Sequence, residues 1–334
     1  MKHAAVLGSG SWGTALSVHL AELQHPVRLW ARDAALAREM RTRRANPVYL
    51  PDVRFPDDLR PTASLEEALA GAELVVVAIP SHGVAEVMRA AAPMLPPGAT
   101  VVSATKGIDV ESLMRVSELL ERELQGACPT VVLSGPSFAV ELARHLPTAV
   151  CVASHDRVAV ERVQAEFRSH YLRLYATDDV IGVEVGGALK NVIAIAAGVV
   201  EGLGLGHNAL AALITRGLAE IGRLATALGA RRETLAGLAG LGDLVLTCTG
   251  THSRNRHVGM ELARGRSLPA IIGSMKMVAE GVRTTEAALA LGARAGIELP
   301  ITTQMAHVLS GRRSARDALG ELMVRPQRAE PESG

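Results

Sequence analysis

The sequence predicts an α/β protein: an N-terminal Rossmann-type, doubly wound, mostly parallel sheet followed by an all-α C-terminal domain. Three observations predict it. Short apolar runs alternate with helical spacings through the first half, the order that builds a parallel sheet covered by helices. A glycine triplet stands between the first run and the first helical pattern, where a dinucleotide-binding turn belongs. After about residue 178 the strand signals fade and long helical periodicities take over. The expected division is a dinucleotide-binding domain over 1–178, a helical substrate-binding and catalytic domain over 179–324, and a polar, proline-containing tail over 325–334 that frays.

Taken in order, HAAVLG (3–8) is the first strand, GSGSWG is the turn that closes it, and TALSVHLAEL (14–23) is the first helix. VRLWA (27–31) is the second strand, and further strands are expected at 73–79, 100–104, 130–134, 148–153 and 172–176. Helical patterns fill most of the gaps. One of them starts at Ser64, with Glu67 three residues on, the pattern of a capping box. In the second half, 182–203, 209–228 and 286–296 read as helices.

Composition excludes several functions. The 334 residues carry a net charge of +1, so no global field draws the chain to nucleic acid or to a membrane, and an anionic ligand must be held locally. Cys128, Cys151 and Cys248 are far apart with no paired spacing, which argues against disulfides and for a reducing, cytoplasmic setting. The N-terminal apolar run flows into glycines and does not read as a signal peptide. The apolar segment GALKNVIAIAAG (187–198) carries Lys190 and Asn191, with Glu201 just beyond, so it reads as a soluble helix and no membrane insertion is expected. No metal is expected, since the histidines form no ligand cluster and His252 and His257 lie among arginines.

Gly8, Gly10 and Gly13 form G-x-G-x-x-G between a strand and a helix. The first glycine permits the tight turn, and the second lets backbone approach a pyrophosphate that meets the free N–H groups of the helix. The choice between NAD and NADP stays open. Asp33 lies about 20 residues past the last glycine, where an acid binds a ribose 2′-hydroxyl. Arg32 beside it would accept a 2′-phosphate instead, and both also fit a solvated pair at a helix start. Ligands of such sheets gather beyond the carboxyl ends of the strands. Lys106 follows one such end in TVVSATKGI; Ser134, Gly135, Pro136 and Ser137 follow another, although Gly-Pro also serves as turn punctuation.

Among the 35 basic residues, only Lys2, Lys106, Lys190 and Lys276 are lysines. A site that needs a titratable amine must keep lysine, because arginine does not release its proton. On a helix, Lys190 shares its face with Gly186, Gly187, Ile193, Ala194, Ala197 and Glu201. That strip of mostly small side chains suits either a closely packed backbone or a small ligand. A lysine snorkelling to water is the structural alternative. Beside a dinucleotide site, a buried amine suits hydride transfer to a ketone, since it stabilises the nascent alkoxide and then protonates it. Further on, Ser253 reads as an N-cap with Arg254 and Arg256 in the first turn. Cations are disfavoured at that end of a helix, so two arginines there suit a bound phosphate; solvent-facing arginines are the alternative. Asp243 falls in a glycine-rich loop, where it would orient the lysine, bind a substrate hydroxyl, or simply form a turn.

GSGSWGTAL, NPVYLP, SATKGI, SGPSFAVE, GGALKNVIAIAAG, GLGDLVLTCTG, SRNR and VAEGVRTTEA, in this order to about residue 310, resemble the bacterial-type NAD(P)-dependent glycerol-3-phosphate dehydrogenases. The resemblance implies a Rossmann domain and a helical domain, commonly in a homodimer. It implies reduction of dihydroxyacetone phosphate to sn-glycerol 3-phosphate for glycerophospholipid synthesis, with NADP or NAD as cofactor. Carried over by motif, Ser11, Trp12, Arg32, Tyr49, Ala139, Val278 and Glu280 would contact the cofactor alongside the three glycines. Lys106 would touch both cofactor and substrate, and so would Arg254. Gly135, Ser137, Asp243, Ser253 and Asn255 would bind substrate, and Lys190 would be the proton donor and acceptor. Two rivals remain at this level. A β-hydroxyacid dehydrogenase of similar architecture would need a carboxylate clamp. A non-catalytic NAD(H)-binding sensor would have no reason to keep Lys190.

Overall fold

The computed structural model describes residues 2–275 and 278–326. Residues 327–334 of the expected tail lie outside the described residues. The chain forms two compact units. The first runs to Lys106 and resumes over Met114–Glu184; the second comprises Gly107–Leu113 and the chain from Val185 onward.

The first unit is built on β1 (Ala4–Leu7), β2 (Val27–Trp30), β3 (Ala45–Asn46), β4 (Leu50–Arg54), β5 (Leu59–Thr62), β6 (Leu74–Val77), β7 (Thr100–Ser103), β8 (Thr130–Ser134), β9 (Thr148–Ala153) and β10 (Leu172–Thr177). Eight of these form one sheet in the order β10-β9-β8-β7-β6-β1-β2-β5, while β3 and β4 pair separately. Every neighbouring pair in the large sheet is parallel except β8 with β9. The central strands β1, β6 and β7 are buried at every residue, as strands covered on both faces must be. In register, Val6 lies between Leu29 of β2 and Val76 of β6. The strand order reverses at β1, so its carboxyl end opens on the crevice where doubly wound sheets bind ligands.

All seven expected strands are present. The sequence did not announce β3, β4 or β5. β5 contains Pro61, which a central strand could not accommodate, but β5 is an edge strand and forgoes that donor. At Ser64 the helix start is half a capping box. Ser64 accepts from the Glu67 N–H at 3.0 Å, whereas the Glu67 carboxylate takes the Thr62 hydroxyl instead of the Ser64 N–H. Behind the sheet, the imidazole of His19 is fully buried, with Nε2 2.7 Å from the Phe167 carbonyl and Nδ1 2.8 Å from the Tyr171 hydroxyl.

From Val185 onward the regular elements of the second unit are helices, with a π-helical turn at Leu238–Gly242. Its helices include Val180–Gly202 (begun in the first unit), Gly206–Ala227, Arg254–Ala263, Glu280–Ala295 and Pro300–Leu309. Val180–Gly202 is long and apolar enough to cross a membrane, but most of it is buried inside the fold. Its small residues are filled by other backbones. A Cβ on Gly198 would sit 1.9 Å from the Arg256 carbonyl oxygen, and one on Gly259 would sit 1.9 Å from that of Ile195. The two helices therefore touch backbone to backbone, which only glycine at both positions permits. Gly186 likewise faces the carbonyl of Ala239 in the π-helical turn. Of the strip beside Lys190, Gly186 is used for close packing.

Two stability predictions follow from buried polar groups. Glu220 is 1% exposed and caps the Pro300–Leu309 helix from outside, accepting from Ile301 N (2.8 Å), Thr302 N (2.9 Å) and Thr302 Oγ1 (2.7 Å). Glu220→Ala strands those donors in the interior and is expected to cost about 3 kcal/mol, read by urea unfolding. Burial holds the pKa of His19 below the usual histidine value, against the opposing Phe167 hydrogen bond. The unfolded chain then takes up a proton first, so the contribution of His19 is present above about pH 6.5 and lost as pH falls from there. A His19→Asn variant should show a shallower loss of stability between neutral and mildly acid pH in the same assay.

Candidate active site

The first unit gathers one set of the expected residues at the end of β1. Gly8 has φ +116°, and a Cβ there would lie 2.5 Å from the Ala78 carbonyl oxygen. A Cβ on Gly13 would lie 1.9 Å from the Gly8 carbonyl oxygen. The protein itself therefore requires the outer two glycines. Gly10 is different: it has an ordinary φ of −66° and no atom within 4 Å of an added Cβ. The room above Gly10 is what a pyrophosphate needs to reach the start of the Ser11–Glu22 helix, which has no capping side chain and no acid in its first turn.

This turn is braced by a residue the sequence reading did not single out. Asn46 is fully buried and donates to the Ser9 carbonyl at 2.8 Å and to Thr14 Oγ1 at 2.9 Å. Its Oδ1 accepts from the N–H groups of Val48 (3.2 Å) and Tyr49 (3.1 Å), and Ser11 Oγ donates to the Tyr49 carbonyl at 2.8 Å. Tyr49 and Ser11 are thus held at the turn. Trp12 packs against the core with its indole N–H buried and without a hydrogen-bond partner. Arg32 is exposed. Asp33 is the N-cap of the Ala34–Arg43 helix, accepting from Ala35 N at 2.8 Å and Leu36 N at 3.3 Å. Its expected alternative role, a helix start, is the one the structure displays.

Farther along the sheet, Lys106 Nζ donates to the Gly135 carbonyl at 2.8 Å, and Ser137 Oγ donates to the same oxygen at 2.9 Å. Gly135 has φ +135°, and a Cβ there would press on Val150 Cα at 3.0 Å. Ala139 begins the next helix, half-buried, directly after this loop.

In the second unit, Lys190 is 6% exposed and Asp243 1%. Lys190 Nζ donates to Asp243 Oδ1 and, at 2.8 Å, to Thr247 Oγ1. The amine does not snorkel; it is met in the interior by a carboxylate. Asp243 opens the Asp243–Thr249 helix directly after the π-helical turn, a distortion that recurs at functional sites. Beside this pair lies Cys248, whose thiol burial pushes up to about 12, with Lys190 acting against that and Asp243 with it.

Ser253 is the N-cap of Arg254–Ala263, accepting from Arg256 N at 3.3 Å. Arg256 is engaged within the protein: its guanidinium pairs with Glu201 and reaches the Gly250 carbonyl at 3.3 Å. Arg254 is exposed. Its guanidinium lies within electrostatic reach of the Glu280 carboxylate. Asn255 is buried and turns its side chain inward, to Asn191 and to the Gly281 N–H. Val278 is exposed and Glu280 half-buried at the start of Glu280–Ala295. Among the described residues, no group of three or more His, Cys, Asp or Glu is placed to hold a metal.

Residues 3–160 match the N-terminal, and 179–320 the C-terminal, description of the NAD-dependent glycerol-3-phosphate dehydrogenases. The chain belongs to that family. It is 51% identical over 328 residues to a glycerol-3-phosphate dehydrogenase [NAD(P)+] of Citrifermentans bemidjiense, covering 98% of each chain. It is 51% identical over 329 residues to one of Myxococcus xanthus, again with 98% of each chain covered. A solved structure of the glycerol-3-phosphate dehydrogenase of Coxiella burnetii is similar with a TM-score of 0.94 and 40% identity, over 97% of this chain and 99% of that one. Membership makes the chain an NAD(P)-dependent oxidoreductase, and the open space at Gly10 and the uncapped helix start fit such a cofactor.

Thr247 is the residue at the amine that sequence reasoning missed. Its signal was present, since in DLVLT it follows Asp243 by four residues and so shares its helix face. The glycine geometry separates two kinds of substitution. Gly10→Ala is expected to keep the thermal midpoint and weaken cofactor binding roughly tenfold or more, because its Cβ intrudes only on the ligand. Gly13→Ala collides with the turn itself and should lose about 3 kcal/mol of stability. Differential scanning calorimetry with and without NADPH distinguishes the two.

Proposed function

We propose that the chain reduces dihydroxyacetone phosphate to sn-glycerol 3-phosphate, and runs the reverse oxidation, with Lys190 as the proton donor and acceptor. The observation that carries this reading is the buried contact of Lys190 with Asp243 and Thr247. A bound NAD(P)H supplies the hydride to the carbonyl carbon. The chain's residues manage the oxygen. The Lys190 ammonium stabilises the negative charge that develops there and then delivers a proton, while Asp243 and Thr247 hold the amine in one direction. Arg254, with the N–H groups of Arg254 and Asn255 that have no intrahelical partner, takes the substrate phosphate. Lys106, Gly135 and Ser137 hold the rest of the substrate. Residues 1–178 thus carry the glycine turn for the cofactor, and 179–324 supply the amine and the phosphate grip.

The same reading bears on the cofactor. Asp33 is engaged in capping its helix and Arg32 beside it is exposed, an arrangement that favours the 2′-phosphate of NADP. The remaining contacts to the cofactor fall to Ser11, Trp12, Tyr49, Ala139, Val278 and Glu280. We further propose a cytoplasmic homodimer that provides glycerol 3-phosphate for phospholipid synthesis. The family match over both halves of the chain favours a glycerol phosphate over a β-hydroxyacid. A mere sensor would have no use for an amine held by a carboxylate.

The test is to follow NADPH and NADH absorbance with dihydroxyacetone phosphate, unphosphorylated dihydroxyacetone and short oxoacids. Turnover of the phosphorylated ketone alone is expected, and equal turnover of an oxoacid would sink the reading. Lys190→Ala should lose about a hundredfold in kcat with cofactor affinity nearly unchanged. Arg32→Ala should weaken NADPH binding and leave NADH binding unaltered.

A further inference from the structure

We infer that Asn191 is a positioning residue for the phosphate grip and acts through the side chain of Asn255; this rests on the reading that Arg254 and its helix start take the substrate phosphate. Asn191 follows Lys190 on the Val180–Gly202 helix and is 6% exposed. Asn255 follows Arg254 in the first turn of its own helix and is 7% exposed. Asn255 Nδ2 donates to Asn191 Oδ1 at 2.9 Å, and Asn255 Oδ1 accepts from the Gly281 N–H at 3.0 Å. The Asn191 Nδ2 contact to the Gly187 carbonyl, at 3.5 Å, is at the edge of a hydrogen bond. The main commitment of Asn191 is therefore as the acceptor for Asn255.

The relay ties together three helices at the points where the chemistry is expected. One end lies next to the amine. The middle is the residue after Arg254. The far end is the second residue of Glu280–Ala295, whose N-cap, Ala279, has no capping side chain. Asn255 satisfies the Gly281 N–H in its place. Gly281 is itself pressed into the relay: a Cβ there would lie 2.6 Å from the Asn191 carbonyl oxygen and 2.9 Å from Asn255 Oδ1.

Close approach does not explain the amides. Gly198 and Gly259 already bring the helices into backbone contact, and apolar side chains would pack there without any polar group to satisfy. What the glycine contacts leave free is fraying of Arg254 and Asn255, the first residues of the helix, which precede the Arg256 and Gly259 contacts. A directional hydrogen bond at its first turn removes that freedom. With the Asn255 side chain turned inward, the backbone N–H groups of the same turn are the ones presented to an anion.

The experiment compares Asn191→Ala, Asn255→Ala and the double variant in full-length enzyme, with thermal midpoints measured alongside. Each single variant is expected to raise KM for dihydroxyacetone phosphate, and the inhibition constant of inorganic phosphate, about tenfold. KM for NADPH should stay within about twofold, and the pH profile of kcat should keep its shape, because Lys190 is untouched. Once one partner is gone the other has nothing to hold, so the double variant should be no worse than the worse single one. Multiplying losses, an equal rise in KM for NADPH, or no change in phosphate inhibition would each overturn the relay. If Asn191→Ala fails to fold, Asn255→Ala carries the same phosphate and NADPH readouts. A wild-type enzyme that left dihydroxyacetone phosphate unreduced would instead overturn the functional reading, and the role of Asn191 with it.

Discussion

The second unit depends on a charged amine being tolerable in the middle of an apolar helix. Lys190 is surrounded along Val180–Gly202 by buried alanine, valine and isoleucine. An isolated ammonium there would be costly enough to expel the side chain or neutralise it. The carboxylate of Asp243 and the hydroxyl of Thr247 make it tolerable, and removing either would leave a buried charge or donor short of a partner. Because both partners lie one turn apart on a short helix, the amine is directed as well as neutralised. The π-helical turn just before Asp243 sets where that short helix begins.

The first unit solves a different problem, the approach of backbone to backbone and of backbone to a ligand. Gly8 and Gly13 are demanded by the turn, whereas Gly10 is demanded by nothing in the chain. That asymmetry separates the part of a motif that builds the fold from the part that serves a molecule to be bound. Asn46 shows how the surrounding structure is recruited: a single buried carboxamide joins the glycine turn to the small β3–β4 hairpin and holds Tyr49 in place.

Much of this was legible in the sequence, for reasons that can be stated residue by residue. The strands announced themselves as runs such as LVVV and TVVL, whose burial on both faces leaves no polar alternation. Ser253 was legible as a cap because its hydroxyl precedes a helix. The failures are equally physical. β5 was hidden by a proline that only an edge position permits. Arg256 looked free for a phosphate because sequence spacing does not reveal that Glu201, on a different helix, reaches it. Asp33 was ambiguous because an acid at that place serves a ribose and a helix N-terminus by the same geometry. Thr247 was legible only through its i+4 spacing from Asp243, and Asn191 only as a polar residue in an apolar run; what they touch came from the structure.

The thiol of Cys248 illustrates what such an interior does to bystanders. It neighbours a lysine, a setting that often sharpens a cysteine into a nucleophile, yet burial outweighs the cation and pushes its pKa up to about 12. At neutral pH the thiol stays protonated, whereas the thiolate is the form that reacts. Peroxides and alkylating agents therefore find no handle on the sulfur beside the Lys190 amine.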